Sequence, residues 1–393
     1  MKVLHTDFHR GWGGQAARVL MVCRELRKKG HTMKIAAPPG ELARRAREAG
    51  IPVDDAFSFH PPLRVWSFLA DARRLARLLR EEEFDILHTH GSQDTWVGAA
   101  VRAWSGRPSL FVTTRHNTKP VRFSAANRYL YGKAVDHLIL VSESVRKNFR
   151  PFTEAGILSE DRITVVHSAY RVEMFHDGVD PARQRKELKL EGRGPVLGVL
   201  ARLAEDKGHT WLFQALETIR AKHPGVVLIV AGRGPIEERL RKEVARRGLE
   251  GSVIFLGFRE DAAEITALLD VAVLPSVGCD ASSASIKEAM AMGRPVVATD
   301  VGGAREILED GVTGLIVPPA DPAALSSAIL ALLAVRQRAR AMGQRAREIV
   351  RSRFGPTILA TGELALYENL VRSRARAGSS AAAPAAGAGG KRP

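Results

Sequence analysis

Two α/β domains, each built on a parallel sheet and meeting across a cleft, are the architecture this sequence predicts. Three observations lead there. Short β-rich runs alternate with helix-period segments throughout the 393 residues, the pattern of βαβ units whose strands run parallel. The strand candidates form two sets of six, too many for one compact sheet of usual size. Between the sets, near His176–Gly194, the alternation lapses into Asp177-Gly-Val-Asp-Pro and a Lys/Arg-rich run closing on Gly192-Arg-Gly-Pro, which reads as an interdomain linker.

The first set comprises Val3–Thr6, Met33–Ala37, Asp85–Thr89, Leu110–Thr114, His137–Val141 and Ile163–His167. The second comprises Val196–Leu200, Val226–Ala231, Val253–Leu256, Val271–Leu274, Pro295–Ala298 and Gly314–Val317. Helical periodicity separates them, as in Ala16–Lys28, His209–Lys222, Pro235–Arg246 and Ser285–Met292. Two last helical patterns cover Val335–Phe354 and Ile358–Val371. The sequence thus predicts a first domain over 1–175, a linker over 176–192, a second domain over 193–355 and a C-terminal helix over 356–371. The tail 372–393, mostly Ala, Gly, Ser and Pro with a few bases, cannot bury a core and is expected to be disordered.

Composition narrows the function classes. With 45% hydrophobic and 26% charged residues the chain is neither disordered nor fibrous. Two cysteines, Cys23 and Cys279, exclude a disulfide framework and a four-cysteine zinc site and make the cytoplasm the expected compartment. No apolar signal core precedes the first strand, and the longest uncharged helical stretch, which follows Asp321 and ends at Val335, is too short to span a bilayer. Membrane contact, if any, is expected at the surface, at the inner face of the cell membrane.

The net charge of +16 is uneven. Residues 1–175 hold 28 bases and 18 acids, 176–371 hold 26 and 25, and 372–393 hold five bases and no acid. A basic first half suits an anionic partner: nucleic acid, an acidic lipid surface or an acidic substrate. It equally suits an Arg-rich composition spread over a solvated surface. In the segment Pro62 to Arg80, Val65, Phe68, Leu69, Ala72, Leu75, Ala76 and Leu79 recur at helical spacing, with Arg73, Arg74, Arg77 and Arg80 off that stripe. Such a helix can lie on an anionic membrane or pack on a sheet with its arginines in water.

Ligands of open α/β sheets bind beyond the carboxyl ends of the strands. After the first strand comes His9-Arg-Gly-Trp-Gly-Gly-Gln15, whose glycines either admit a ligand to the backbone or make a tight turn into the next helix. After the seventh comes Ala201-Arg202-Leu-Ala-Glu-Asp-Lys207-Gly208, a guanidinium and an ammonium suited to a diphosphate. After the eighth, Ala231-Gly-Arg-Gly-Pro235 is a further Gly-rich turn. The densest segment runs from Leu274 through Asp280 and a Ser-rich loop into a helix carrying Glu288 and stopping at Gly293. Ser282 to Ser285 can cap that helix with free amides pointing outward, and the two acids can accept hydrogen bonds from ligand hydroxyls.

On these residues, together with Gly293-Arg-Pro-Val-Val and Gly302-Gly303, the chain resembles a family 4 retaining glycosyltransferase of the two-Rossmann-domain (GT-B) type over about residues 1–370. The resemblance implies catalytic roles for His116, Asp280, Arg202 and Lys207. Arg202 and Lys207 would neutralise a donor diphosphate, and Glu288 would hold the ribose hydroxyls. Backbone amides around Ser283 and Ala284 would meet the phosphate. Asp280 would contact the donor sugar, Gly13 and Gly14 would flank the reacting centre, and His116 would reach the transferred sugar. The chain departs from the family pattern in three places. Asp280 stands where Glu is usual, Ala281-Ser-Ser where Gly-Phe-Gly is common, and Val166 to Phe175 lacks the Asn-Gly-Val-Asp turn.

The implied reaction is hexose transfer from a nucleoside-diphosphate sugar to a glycan or glycolipid, with retention, in the synthesis of lipopolysaccharide or another cell-envelope glycan. Charge on the leaving phosphate would be met by Arg202, Lys207 and helix amides without a metal. No Asp-x-Asp occurs, and His88 and His90, sharing a strand face, are too few ligands for zinc; they are expected to shape the cleft wall. No cofactor is expected. The competing readings are a nucleotide-sugar 2-epimerase of the same fold, a non-catalytic sugar-nucleotide binder and a nucleic-acid binder. With only 6% aromatics, the chain lacks the basic–aromatic interleaving of single-strand binders, so no specific nucleic acid is expected.

Overall fold

The computed structural model describes residues 1–60, 64–105, 109–278 and 280–381, with side chains as far as residue 376. Pro62, Cys279 and residues 382–393, on which parts of the sequence reading fall, lie outside the described residues.

Two parallel sheets organise the chain. The first has seven strands in the order β3-β2-β1-β4-β5-β6-β7 and the second six, in the order β10-β9-β8-β11-β12-β13. The first-domain strands are β1 Lys2–Thr6, β2 Thr32–Ala36, β3 Val53–Asp54, β4 Ile86–Thr89, β5 Leu110–Arg115, β6 His137–Leu140 and β7 Ile163–Val165. Those of the second domain are β8 Val196–Leu200, β9 Val227–Ala231, β10 Val253–Gly257, β11 Val271–Leu274, β12 Val296–Thr299 and β13 Leu315–Val317. In both sheets the order reverses beside the central first strand, the switch point where α/β folds open a crevice. Helices cover both faces, so inner strands such as Val-Leu-Ile-Val-Ala (β9) are buried throughout rather than alternating.

The sequence predicts twelve strands, and the described residues form thirteen; the added β3 is two residues long, paired to β2 at the sheet edge, too short to leave a periodic trace. The expected linker is more ordered than its polarity suggests. It contains a helix, Ala182–Glu187, whose buried Gln184 donates to Asp261 Oδ2 at 3.0 Å. The C-terminal helix runs from Pro356 to Ala381, about ten residues beyond its expected end, so the disordered tail cannot begin at 372. Ala and Arg are strong helix formers, and extending a nucleated helix is cheap.

That last helix packs on the first domain, against the helix Gly14–Lys28, with Leu359, Ala360 and Tyr367 in a shared core. Arg18 and Glu363 form a fully buried ion pair at 2.6 Å between them, and Arg18 also donates to Val166 O. Breaking such a pair from one side typically costs ~3–5 kcal/mol. A second tie crosses the domains: Glu306 accepts from the amides of Glu143 (2.7 Å) and Ser144 (2.9 Å). Among the described residues no helix is long and apolar enough to cross a membrane.

Candidate active site

Between the sheets lies a cleft of about 1460 Å³ lined from both domains. On the second-domain wall, β8 delivers Arg202, whose side chain is 66% exposed and pairs with Asp206 at 3.5 Å. A short turn, Glu205–Lys207, then ends on Gly208 at φ +69°. A Cβ at Gly208 would sit 1.8 Å from Pro275 O, so glycine there lets the Lys207 turn lie against the end of β11. Lys207 Nζ donates to Asp280 Oδ2 at 2.8 Å, and Ser276 Oγ reaches the same oxygen at 3.2 Å. The Asp280 loop rests on Gly302 and Gly303. The Gly303 amide donates to Asp280 O at 3.1 Å, and a Cβ on Gly302 would fall 1.8 Å from that oxygen.

The helix Ala284–Ala291 follows. Ser283 caps it, its hydroxyl accepting from the Ile286 amide at 3.3 Å. The amides of Ala284 and Ser285 precede the first i→i−4 bond and so have no helical backbone acceptor, and both residues line the cleft. Ser283, whose backbone with that of Ala284 is expected to meet the phosphate, is buried at the start of the helix, and its side chain serves as the cap. One turn on, Glu288 Oε1 accepts from Arg171 Nε (3.0 Å) and a terminal Arg171 nitrogen (2.9 Å). Arg171 lies in the segment that departs from the family turn, and its role was not foreseen. Next to it, fully buried Lys287 donates to Ser168 O (2.6 Å) and Ser282 Oγ (2.7 Å), bridging the domains; burial chiefly, then Arg18, pushes its pKa down to about 7.

On the first-domain wall, Gly13 caps the helix Gly14–Lys28 in extended backbone, and a Cβ at Gly11, Gly13 or Gly14 would meet nothing within 4 Å. No turn geometry there demands glycine; the consequence is open space facing the cleft. Beneath it, buried Asp7 accepts from the His9 amide, His9 Nδ1 and Gln15 Nε2, each at 2.9 Å. That hydrogen bond raises the pKa of the 46%-exposed His9. His116, one residue past β5, lines the cleft and bonds His90 at 3.1 Å. His90 lines the cleft as expected, whereas His88 lies in the core behind it.

His5, on β1, joins this pair, a third ring that strand spacing within β4 could not reveal. Nitrogens of His5, His88 and His90 lie within 4.8 Å of one another, a grouping compatible with a cation. Their geometry is that of hydrogen bonds: His88 uses both nitrogens, on Tyr367 OH (2.5 Å) and Thr114 Oγ1 (2.7 Å), and His5 Nδ1 meets His90 Nε2 at 2.9 Å.

The proposed basic helix, Val65–Glu82, keeps Arg73, Arg77 and Arg80 exposed. Arg74 leaves that set: it is tied to Asp54 at 2.8 and 3.1 Å and stacks on Phe57. Val65 and Trp66, at the start of the helix, are uncovered, Trp66 to 83%.

Comparison with known proteins agrees with this architecture. Residues 12–183 match the Glycosyltransferase Family 4 model and residues 194–335 the model described as Glycosyl transferases group 1. The GDP-mannose-dependent alpha-(1-6)-phosphatidylinositol monomannoside mannosyltransferase of Mycobacterium tuberculosis is 31% identical over 303 residues, 72% of this chain and 75% of that one. The phosphatidyl-myo-inositol mannosyltransferase of Mycobacterium leprae is 29% identical over 381 residues, 92% and 94% of the two chains. Among solved structures, Anabaena Alr3699/HepE in complex with UDP aligns with a TM-score of 0.80 at 24% identity, covering 94% of this chain and all (100%) of that one. A glycosyltransferase from Rickettsia africae also aligns with a TM-score of 0.80, at 22% identity, covering 94% of this chain and 98% of that one. The chain therefore belongs to the family 4 glycosyltransferases of the GT-B fold.

Proposed function

We propose that the chain transfers a sugar, with retention, from a nucleoside-diphosphate-sugar donor to a hydroxyl of an envelope glycan or glycolipid, and that it does so in the interdomain cleft without a metal. The observation that carries this reading is the convergence on one wall of Arg202, Lys207, Asp280, Glu288 and the amides of Ala284 and Ser285, opposite His116 and the open glycine loop. The donor diphosphate lies against Arg202, Lys207 and the helix start, where fixed positive groups stabilise charge that grows as the anomeric C–O bond breaks. Glu288 receives ribose hydroxyls on its second oxygen, Asp280 the sugar hydroxyls, and His116 the far side of the transferred sugar. The acceptor oxygen attacks from the face the phosphate leaves, and its proton passes to the departing phosphate oxygen.

The mannosyltransferase relatives, whose names specify phosphatidylinositol lipids, favour a lipid-linked acceptor. So does the first domain's exposed Val65, Trp66, Arg73, Arg77 and Arg80, an apolar tip with a cationic flank suited to the anionic inner face of the cell membrane. The test is a transfer assay over a panel of nucleotide sugars, each also scored by thermal shift, since the true donor stabilises by mass action. One donor should raise the melting point and yield a product of unchanged anomeric configuration. Turnover of the donor without acceptor to its 2-epimer, or an inverted product, contradicts the proposal.

A further inference from the structure

His116 is the last of three rings in a line. Its Nε2 meets His90 Nδ1 at 3.1 Å, and His90 Nε2 meets His5 Nδ1 at 2.9 Å. The rings come from, or just beyond, the adjacent strands β1, β4 and β5, so the sheet sets their spacing. His5 is fully buried, and its Nε2 has no hydrogen-bond partner among the described residues. His88, the other ring nearby, has spent both nitrogens on Tyr367 and Thr114. Tyr367 donates its own proton to Glu363 at 3.0 Å, so His88 Nδ1 must be the donor to Tyr367, and Nε2 accepts from Thr114.

A neutral imidazole has one N–H and one lone pair. A line of three neutral rings therefore has two polarities. In one, protons point inward: His116 Nε2–H donates to His90, His90 Nε2–H donates to His5, and His5 Nε2–H ends without an acceptor in the core. In the other, protons point toward the cleft: His5 Nδ1–H donates to His90, His90 Nδ1–H donates to His116 Nε2, and His5 ends in a bare lone pair. An orphaned buried N–H is the rarer and costlier of the two. Burial, the largest cause, holds all three rings below the usual histidine range, His5 down to about 3, so the neutral form applies at neutral pH.

We infer that His5 and His90 are positioning residues that fix His116 in the Nδ1–H tautomer, presenting an uncharged hydrogen-bond donor to the transferred sugar. This rests on the reading of His116 as a sugar contact and adds a consequence: with its cleft-facing nitrogen already protonated, His116 is not the base that takes the acceptor's proton. That proton is left to the departing phosphate.

The test is 15N-detected NMR of the full chain with labelled histidine at neutral pH, assigned through single substitutions. The expected spectrum has His116 protonated at Nδ1 and bare at Nε2. His116 protonated at Nε2 overturns the inference, and it does so whether or not the chain transfers sugar. In His90→Leu the Nδ1–H preference should disappear and kcat fall on the order of tenfold with donor KM held. In His90→Asn, whose amide can still donate to His116, the tautomer and most of kcat should return. A His116 tautomer unchanged in His90→Leu likewise overturns it. Should His90→Leu fail to fold, the wild-type spectrum alone decides the point.

Discussion

The two walls of the cleft solve opposite electrostatic problems. The second-domain wall is built of charges that already have partners: Lys207 on Asp280, Glu288 under Arg171, and Lys287 held by a carbonyl and a hydroxyl. A donor diphosphate arriving there exchanges ion pairs rather than meeting bare charge. The first-domain wall holds a stack of histidines neutral by burial, and Arg44, Arg45, Arg115, Lys119 and Arg122 line the cleft around it. One side sets paired charges at the donor site; the other sets an uncharged histidine stack among bases that have the cleft before them.

Acid should break that contrast most strongly. In the first domain, burial first of all holds His88, His90 and His116 well below the ordinary histidine range, His5 at about 3 and His137 at about 4. In the second domain burial lowers His209 to about 4 and Lys287 to about 7. These rings take up protons more readily unfolded, so the stability they allow is present above their unfolded pKa and is lost as pH falls below it. Each contributes up to ~1.4 kcal/mol per pH unit. Asp94 opposes them: burial and then Asp7 raise it to about 7, so on acidification it gains a proton in the folded state. His9, raised by its hydrogen bond to Asp7, opposes them in the same sense; two groups against five lowered rings still leave a net loss of stability in acid. Thermal melts at about pH 7.5 and about pH 5 should show the first domain destabilised more than the second; equal shifts would contradict the account.

The next effect sharpens the donor side. Arg171→Met frees Glu288 from its clamp, and donor KM should rise on the order of tenfold with kcat little changed, because the ribose is remote from the reacting bond. A lowered KM would mean that Arg171 obstructs the donor instead of orienting its acceptor. The smallest effect concerns the outer surface. Arg77→Ala should weaken binding to anionic vesicles by ~1 kcal/mol, as expected for one cation near a charged surface, and Trp66→Ala should weaken it further. No vesicle binding by the wild type at low salt would remove the membrane from the proposal.

Local patterns were legible in the sequence, whereas distant partnerships were not. β8, β11 and the helix His209–Lys222 begin and end at the residues that periodicity gives. The Ser-rich loop has the composition of a helix cap, and Ser283 is one. What escaped depends on groups far apart in the chain. Arg171 and Glu288 are 117 residues apart, and His5 and His90 are 85 apart. The Arg18–Glu363 pair joins residues 345 apart and returns the last helix to the first domain. Arg74 looked free because its partner Asp54 sits on an edge strand too short to recognise.

The central claim is that Arg202 and Glu288 receive the nucleotide on the second-domain wall. Calorimetric titration of GDP and UDP into the wild type, Arg202→Ala and Glu288→Ala tests it most directly. The account predicts measurable affinity for one nucleotide in the wild type and a loss of ~1.5–3 kcal/mol in either variant, the scale of a charge-assisted hydrogen bond. Wild-type affinity in both variants would contradict it.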